Sequence, residues 1–437
     1  MQLGREEKAF LAAMIVSIGL LIISFSCLSN SYGSWNRKYF FQLSITCFVI
    51  AIAIGITTIL IYLVINKYFS KGKEYGRTYA HIKYQLRKDL MQAGYVEKGI
   101  ADSVNPPKVE IEMADDLTTG KIKIRNSPKI DRPLQSINLS PSLGNYVVET
   151  SYLTEDENWY SFDFYDSNLL KQLQFSNVYQ VREFVKTIGK YQLVIDERTV
   201  IKLQHMLIVG ATRSGKTYTL YWLLLQVVMK PIKYDLYVCD PKRSSLWILG
   251  NILEYDNVGS TADEIIDIIR KFDDDMQNRA EEIEPYQKEK LDGDYRDFNM
   301  SPKILIIDEY ASFIGQLNTR PKAERDEVMS HLRNIVLMGA QLGCFAIILM
   351  QKSSASTIET MLRDNLTFKA VLGNAEKTTY ETAFGSGVEI PNFNYKQGQG
   401  VYTDVAIANK PRIMMTPTLQ FDILTGFRQA ERMAGVM

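Results

Sequence analysis

The chain has 437 residues, more than one typical domain, and 50 basic side chains balance 50 acidic ones to a formal net charge of zero. That balance excludes a uniformly cationic coat for nucleic acid, so any polyanion must be held locally. Four cysteines and three histidines, all scattered, exclude a metal centre or a nucleophilic triad read from spacing, and the cysteines read as buried small hydrophobes.

The apolar content is concentrated at the front. Residues 9–29 and 41–65 are two uncharged runs, each of roughly twenty or more residues, enough to cross a hydrocarbon core about 30 Å thick. A short polar stretch, SNSYGSWNRKY, separates them, so residues 1–66 read as a transmembrane helical hairpin. The first run lacks the small-residue cleavage site of a signal peptide. Arg37 and Lys38 are the only basic residues of the loop, whereas Lys67, Lys71, Lys73, Arg77, Lys83, Arg87 and Lys88 crowd the exit of the second run. The positive-inside rule then places the N-terminus and the bulk of the chain in the cytoplasm, anchored to the cell membrane by a multi-pass segment. Trp35 fits an interface anchor.

Residues 67–104 read as a basic, helical juxtamembrane connector, part of whose charge can lie against anionic headgroups. KVEIEM, KIKIRN, YVVETSYL and WYSFDFYD then alternate in strand fashion between turn-rich NPP, TTG, SPSLG and TEDEN, which predicts a small β-containing domain over 105–190. Within it, 168–187 carries a helical pattern. Residues 191–437 follow as a third region, opening with a hairpin over YQLVIDERTVIKLQ.

GATRSGKT, at 210–217, lies between an apolar run and the buried-helix pattern YTLYWLLLQVVM. Strand, tight turn and helix are the context of a phosphate-binding loop. The pattern alone occurs by chance in about one chain of this length in a hundred at ordinary residue frequencies. Gly210, Ala211, Thr212, Arg213, Ser214 and Gly215 would turn successive amides toward phosphate oxygens at a helix N-terminus. Lys216 would reach the β and γ phosphates of ATP, and the hydroxyl of Thr217 would face Mg²⁺.

Beyond the loop, strand and helix patterns alternate: KYDLYVCD, a charged helix from 262, KILIIDEY, a helix over 324–342, then CFAIILMQ. Such alternation predicts a mainly parallel α/β sheet whose ligands gather at the carboxyl ends of its strands, where Asp240, Asp308 and Gln351 fall. Asp308 would hold the Mg²⁺ shared with Thr217, and Glu309 would polarise the water that attacks the γ phosphate. Gln351 would sense that phosphate. The acidic run DDDMQNRAEEIEPYQKEKLDGDYRD reads as an exposed helix and loop rather than a docking surface.

HMLIVGATRSGKT, VCDPKRSSLWIL, DDMQNR, ILIIDEYASF and ILMQKSSASTIETMLRDNL resemble, in order and spacing, the motifs of FtsK/SpoIIIE-type DNA-pumping ATPases over residues 203–404. The resemblance implies a RecA-like fold, a homo-hexameric ring with DNA in its channel, and hydrolysis by Lys216, Thr217, Asp308, Glu309 and Gln351. Departures are specific: Lys352 and Ser353 stand for the usual Arg-Pro, and Lys369 and Ala340 stand where arginines are common. A trans-acting arginine is therefore left to Arg363 or Arg279. Lys242, Arg243 and Lys352 are candidate phosphate grips for a polymer held without base specificity. Two spans, a small β domain and one motor are most similar to FtsK-like coupling proteins of Gram-positive conjugative elements. These deliver a relaxase-bound single strand to a type IV secretion channel in the bacterial cell membrane. A chromosome or plasmid segregation translocase is the runner-up reading. A protein-secretion ATPase, which usually carries several phosphate loops, ranks below it.

Overall fold

The computed structural model describes residues 5–32, 36–98, 104–128, 131, 134, 137, 139–167, 172–353, 357–388, 390–391 and 394–435. Trp35 and residues 168–171 of the expected 168–187 helix lie outside them. Two compact units divide the chain between Leu169 and Leu170.

In the first unit, α1 (Arg5–Ser31) and α2 (Arg37–Ile65) form the expected hairpin. Both helices are long and apolar enough to cross a membrane. Their contact is made by small residues, which let helices approach where lipid provides no hydrophobic drive. Ser24 and Ser44 donate their hydroxyls to each other's carbonyls at 2.9 and 2.8 Å, and Ser17 donates to the Ala51 carbonyl at 2.8 Å. Ile15, Ile22, Phe25, Val49, Ile59 and Val64 point outward, as lipid-facing residues would.

The basic segment that follows is not a free connector. Its helix α3 (Lys73–Gln92) buries Tyr75, Tyr79, Ile82, Leu86 and Leu90, spaced three or four apart, in one hydrophobic core with a four-stranded antiparallel sheet. The sheet consists of β1 (Val109–Met113), β2 (Thr119–Arg125), β3 (Tyr146–Leu153) and β4 (Trp159–Asp166), in the order β1-β2-β4-β3. Ile111, Ile122, Ile124, Phe162 and Phe164 face that core, and the opposite face carries cross-strand pairs such as Lys123 with Glu112.

The second unit begins earlier than the sequence reading placed it. β5 (Gln174–Phe175) pairs in parallel with a strand near residue 418, and α4 (Val178–Val185) buries Val178, Val181 and Val185, so residues 172–190 belong with the second unit. The hairpin β6 (Gln192–Asp196) and β7 (Thr199–Lys202) leads into β8 (Met206–Gly210) and the almost fully buried α5 (Lys216–Val228). Trp222 of α5 stacks on Phe175 at 5.3 Å and donates to the Val194 carbonyl at 2.6 Å, which fixes the hairpin to the helix.

The chain continues through β9 (Asp235–Cys239), α6 (Ser245–Ile252), β10 (Asn257–Gly259), α7 (Ala262–Gln287), β11 (Lys303–Ile307), α8 (Tyr310–Leu317) and α9 (Lys322–Leu342). It is completed by β12 (Cys344–Met350), α10 (Thr360–Asn365), β13 (Phe368–Leu372), α11 (Lys377–Phe384), β14 (Gln399–Asp404), β15 (Ala408–Met415), β16 (Thr418–Leu419) and α12 (Ile423–Ala434). Eight strands form one sheet in the order β10-β9-β11-β12-β8-β13-β14-β15. All pairs from β10 to β13 are parallel, and β14 and β15 add an antiparallel edge. β12 thus lies between the phosphate-loop strand β8 and the acid-bearing strand β11. Their near-continuous apolar runs follow from burial on both faces. This is a mainly parallel α/β sheet.

Candidate nucleotide site at the carboxyl ends of the strands

Every residue of β8 is buried, so the chain reaches Gly210 in a rigid frame and must turn into α5 within five residues. Gly215 makes the last bend at φ 103°, a left-handed conformation that a side chain resists. A Cβ there would also stand 2.4 Å from the Gly398 amide nitrogen. That amide donates to the Ser214 carbonyl at 2.8 Å, and the Thr219 and Thr416 hydroxyls meet at 2.7 Å. The phosphate loop is therefore braced from outside by the β14–β15 region. Ala211, Thr212 and Arg213 are exposed, Ser214 is buried and Thr217 is half-buried in the first turn of α5.

Ile304 to Ile307 are fully buried, and the strand delivers Asp308 and Glu309 at its carboxyl end. Glu309 takes φ 55° and ψ 57°, a strained backbone costing about 1–3 kcal/mol at the point where α8 begins. Its Oε2 lies 3.4 Å from Lys216 Nζ, and Asp308 Oδ1 lies 3.5 Å from the same nitrogen. A second ammonium, Lys242 Nζ, stands 3.3 Å from Glu309 Oε2. Burial pushes the Asp308 carboxyl above the usual carboxylate range; Lys216 opposes this, while Asp240 and Glu309 add to it.

Among the described residues Ser214 Oγ is buried with no hydrogen-bond partner, and Asp308 Oδ1 has only its 3.5 Å ion pair with Lys216. Such poorly satisfied atoms are expensive in a closed core and are what a phosphate with its hydrated cation would satisfy. ATP with Mg²⁺ fits this residue set: Ser214 and Lys216 suit the phosphates, and Thr217 and Asp308 suit the metal.

Asp240 is fully buried and accepts the amides of Lys242, Ser244 and Trp247 at 3.1, 2.8 and 3.1 Å, capping α6. Ser244 Oγ bridges Asp240 at 2.6 Å and Asp308 at 3.4 Å. Gln351 follows Met350, which pairs with Val209 one residue before Gly210, so it emerges between the phosphate loop and the acid pair. Neither motor cysteine is a nucleophile, since burial pushes the Cys239 thiol up and that of Cys344 to about 12.

Residues 176–365 match the FtsK/SpoIIIE family model. Over this stretch the chain is similar to FtsK/SpoIIIE-type ATPases. It is 31% identical over 204 residues to the FtsK domain-containing protein YdcQ of Bacillus subtilis (strain 168), covering 47% of this chain and 41% of that one. It is 22% identical over 201 residues to DNA translocase FtsK of Staphylococcus epidermidis, covering 43% and 24% respectively. The alignments thus span less than half of either relative. Among solved structures, the pCW3 conjugation coupling protein TcpA with ATPγS superposes at a TM-score of 0.47 and 15% identity, covering 80% of this chain and 99% of that chain.

Several basic side chains that the sequence reading offered as candidates have partners within the second unit. Arg279 is buried, donates to the Ser301 and Leu342 carbonyls at 3.1 and 3.4 Å, and pairs with Glu282, so it is an internal strut and not a trans-acting arginine. Arg363 pairs with Asp364 at 3.1 Å, Lys352 with Glu376 at 2.5 Å, and Arg243 donates to Ser260 Oγ at 2.9 Å. Lys242 pairs with Glu309 at 3.3 Å while about half of its side chain stays exposed. A separate cavity of about 500 Å³ opens near the amino ends of β8 and β12, lined by Leu203, Gln204, Tyr295, Phe345 and Asp404, away from the acids. Sequence reading missed Ser244 and the Gly398–Thr416 brace. The glycine pair in YKQGQG was its one visible signal.

Proposed function

We propose that this protein is a membrane-anchored ATPase that couples ATP hydrolysis to sequence-independent translocation of DNA, acting as a coupling protein in conjugative transfer. The single observation carrying the hydrolytic part is the convergence of Lys216, Asp308 and Glu309 at the carboxyl ends of β8 and β11, with the strand that ends in Gln351 between them. Lys216 would bind the β and γ phosphates, and Thr217 and Asp308 would hold Mg²⁺, which would supply charge neutralisation at the phosphates. Glu309 orients and polarises the attacking water, and Gln351 registers loss of the γ phosphate.

DNA as substrate is supported by the family domain and by the name of the relative DNA translocase FtsK. Conjugation, with a single-stranded substrate, a relaxase and a type IV secretion channel as partners, is supported by two candidate spans and a small β domain ahead of the ATPase region. In this reading the motors assemble as a homo-hexamer around the strand. The same relative's name keeps chromosome or plasmid segregation as a second reading.

The test is ATP turnover and plasmid transfer by Lys216→Ala and Glu309→Gln. The first should lose nucleotide binding. The second should bind nucleotide normally and turn over roughly 10²–10⁴-fold more slowly, the usual contribution of a general base. Both should abolish transfer. Normal transfer by a hydrolysis-dead variant would refute the reading, and normal transfer with impaired chromosome partition would favour segregation.

A further inference from the structure

Two ammonium groups stand against Glu309, and one of them, that of Lys216, is shared with Asp308. Lys216 is nearly buried, and its nitrogen is 3.4 Å from Glu309 Oε2 and 3.5 Å from Asp308 Oδ1. Lys242 is half-exposed, yet its nitrogen stands 3.3 Å from the same Glu309 oxygen. When triphosphate enters, Lys216 is drawn to the β and γ phosphates, which leaves the buried Glu309 carboxylate short of a cation. A buried carboxylate abandoned in this way is costly, and a carboxylate free to swing is a poor base.

The backbone beneath Lys242 is fixed on three sides. Asp240 accepts the Lys242, Ser244 and Trp247 amides, Ser244 Oγ ties that carboxylate to Asp308, and Arg243, at φ 52°, anchors to Ser260. A lysine chosen only to touch a polymer would need none of this. Its flexible stem would serve better on a loop free to follow the strand.

Building on the hydrolytic reading above, we propose that Lys242 is a positioning residue. It holds the Glu309 carboxylate in its attacking geometry during the interval when Lys216 is engaged by nucleotide. Lys242 then acts through Glu309 and makes no contact with the polymer.

The experiment uses the full chain in lipid nanodiscs, with steady-state ATP turnover and fluorescent-nucleotide binding measured for wild type, Lys242→Ala, Lys242→Arg, Glu309→Gln and Lys242→Ala/Glu309→Gln. Expected are a fall in kcat of at least about tenfold for Lys242→Ala with nucleotide affinity within twofold of wild type, and substantial rescue by arginine. In the Glu309→Gln background, Lys242→Ala should cause no further loss, because residues acting as one unit are non-additive. Wild-type kcat in Lys242→Ala, or equal losses with and without Glu309, would overturn the proposal. So would weakened DNA binding with unchanged DNA-free turnover. If instead Glu309→Gln itself turns over normally, the hydrolytic reading fails first, and the two failures are told apart.

Discussion

Gly215→Ala tests whether the phosphate loop is shaped by its outside brace as well as by its own sequence. At φ 103° an alanine is strained by about 1–3 kcal/mol. Its Cβ would sit 2.4 Å from the Gly398 nitrogen and 2.7 Å from the Gly398 Cα, and these are backbone atoms that cannot rotate away. Relief requires the 397–398 turn to retreat and release the 2.8 Å bond from Gly398 N to Ser214 O, a further loss of about 1 kcal/mol. The sum is about 2–4 kcal/mol, which for a unit of this size lowers Tm by roughly 5–15 °C. Because the same bend aims the loop amides, nucleotide affinity should fall at least about tenfold, equivalent to 1.4 kcal/mol. Thermal scans and calorimetric titration with a slowly hydrolysed ATP analogue read both quantities. Gly315→Ala, in the interior of α8 with no atom within 4 Å of the added Cβ, is the matched control and should be neutral or slightly stabilising. Gly215→Ala with the Tm and affinity of wild type would refute the idea that the brace and the bend are one mechanical unit.

Two further outcomes follow from buried polar groups. His205 accepts the Ala346 amide at 3.0 Å on Nδ1, and burial lowers its pKa from 6.5 to about 4, so the unfolded chain takes up its proton first as pH falls. Its contribution, about 3 kcal/mol by linkage, should be intact above pH 6.5 and be lost progressively toward pH 4. Denaturation of wild type and His205→Gln across that window should show a steeper slope in wild type, and equal slopes would contradict it. In the hairpin, Ser24→Val with Ser44→Val removes two reciprocal bonds and should loosen the helix pair by about 1 kcal/mol. Energy transfer between labels on α1 and α2 in nanodiscs would record this as a broader distance distribution, and an unchanged distribution would count against the packing.

The legible part of the sequence was the part whose physics is local. A strand buried on both faces must be apolar throughout, and its first polar residue must appear where the strand leaves the sheet. Asp240, Asp308 and Gln351 could therefore be placed at strand ends by counting. The phosphate loop was legible for the same reason, since its glycines, Lys216 and Thr217 act within one turn. The 67–104 segment was misjudged because its charge is conspicuous. Its apolar stripe from Tyr75 to Leu90 needs a sheet that starts only at Val109 before it makes sense.

Lys242 shows where local reading stops. In sequence it is one basic residue beside another, DPKR, and a polymer grip is the natural inference for both. In the fold the two diverge, because Asp240 winds the turn so that neighbouring side chains leave on different sides. Arg243 goes to Ser260 on the β10 side, and Lys242 goes to Glu309, sixty-seven residues away in sequence. Only the placing of β11 beside β9 brings the DPK turn and the acid pair together, and that is a fact of strand order that periodicity does not carry. Arg279 follows the same logic in reverse. Among the acids of α7 it looked available, but α7 turns it inward, where it donates to the Ser301 and Leu342 carbonyls at the amino ends of β11 and β12. A basic residue in such a motor is therefore assigned by the groups its fold leaves for it to neutralise, and on that criterion Lys242 belongs to the nucleotide and not to the polymer.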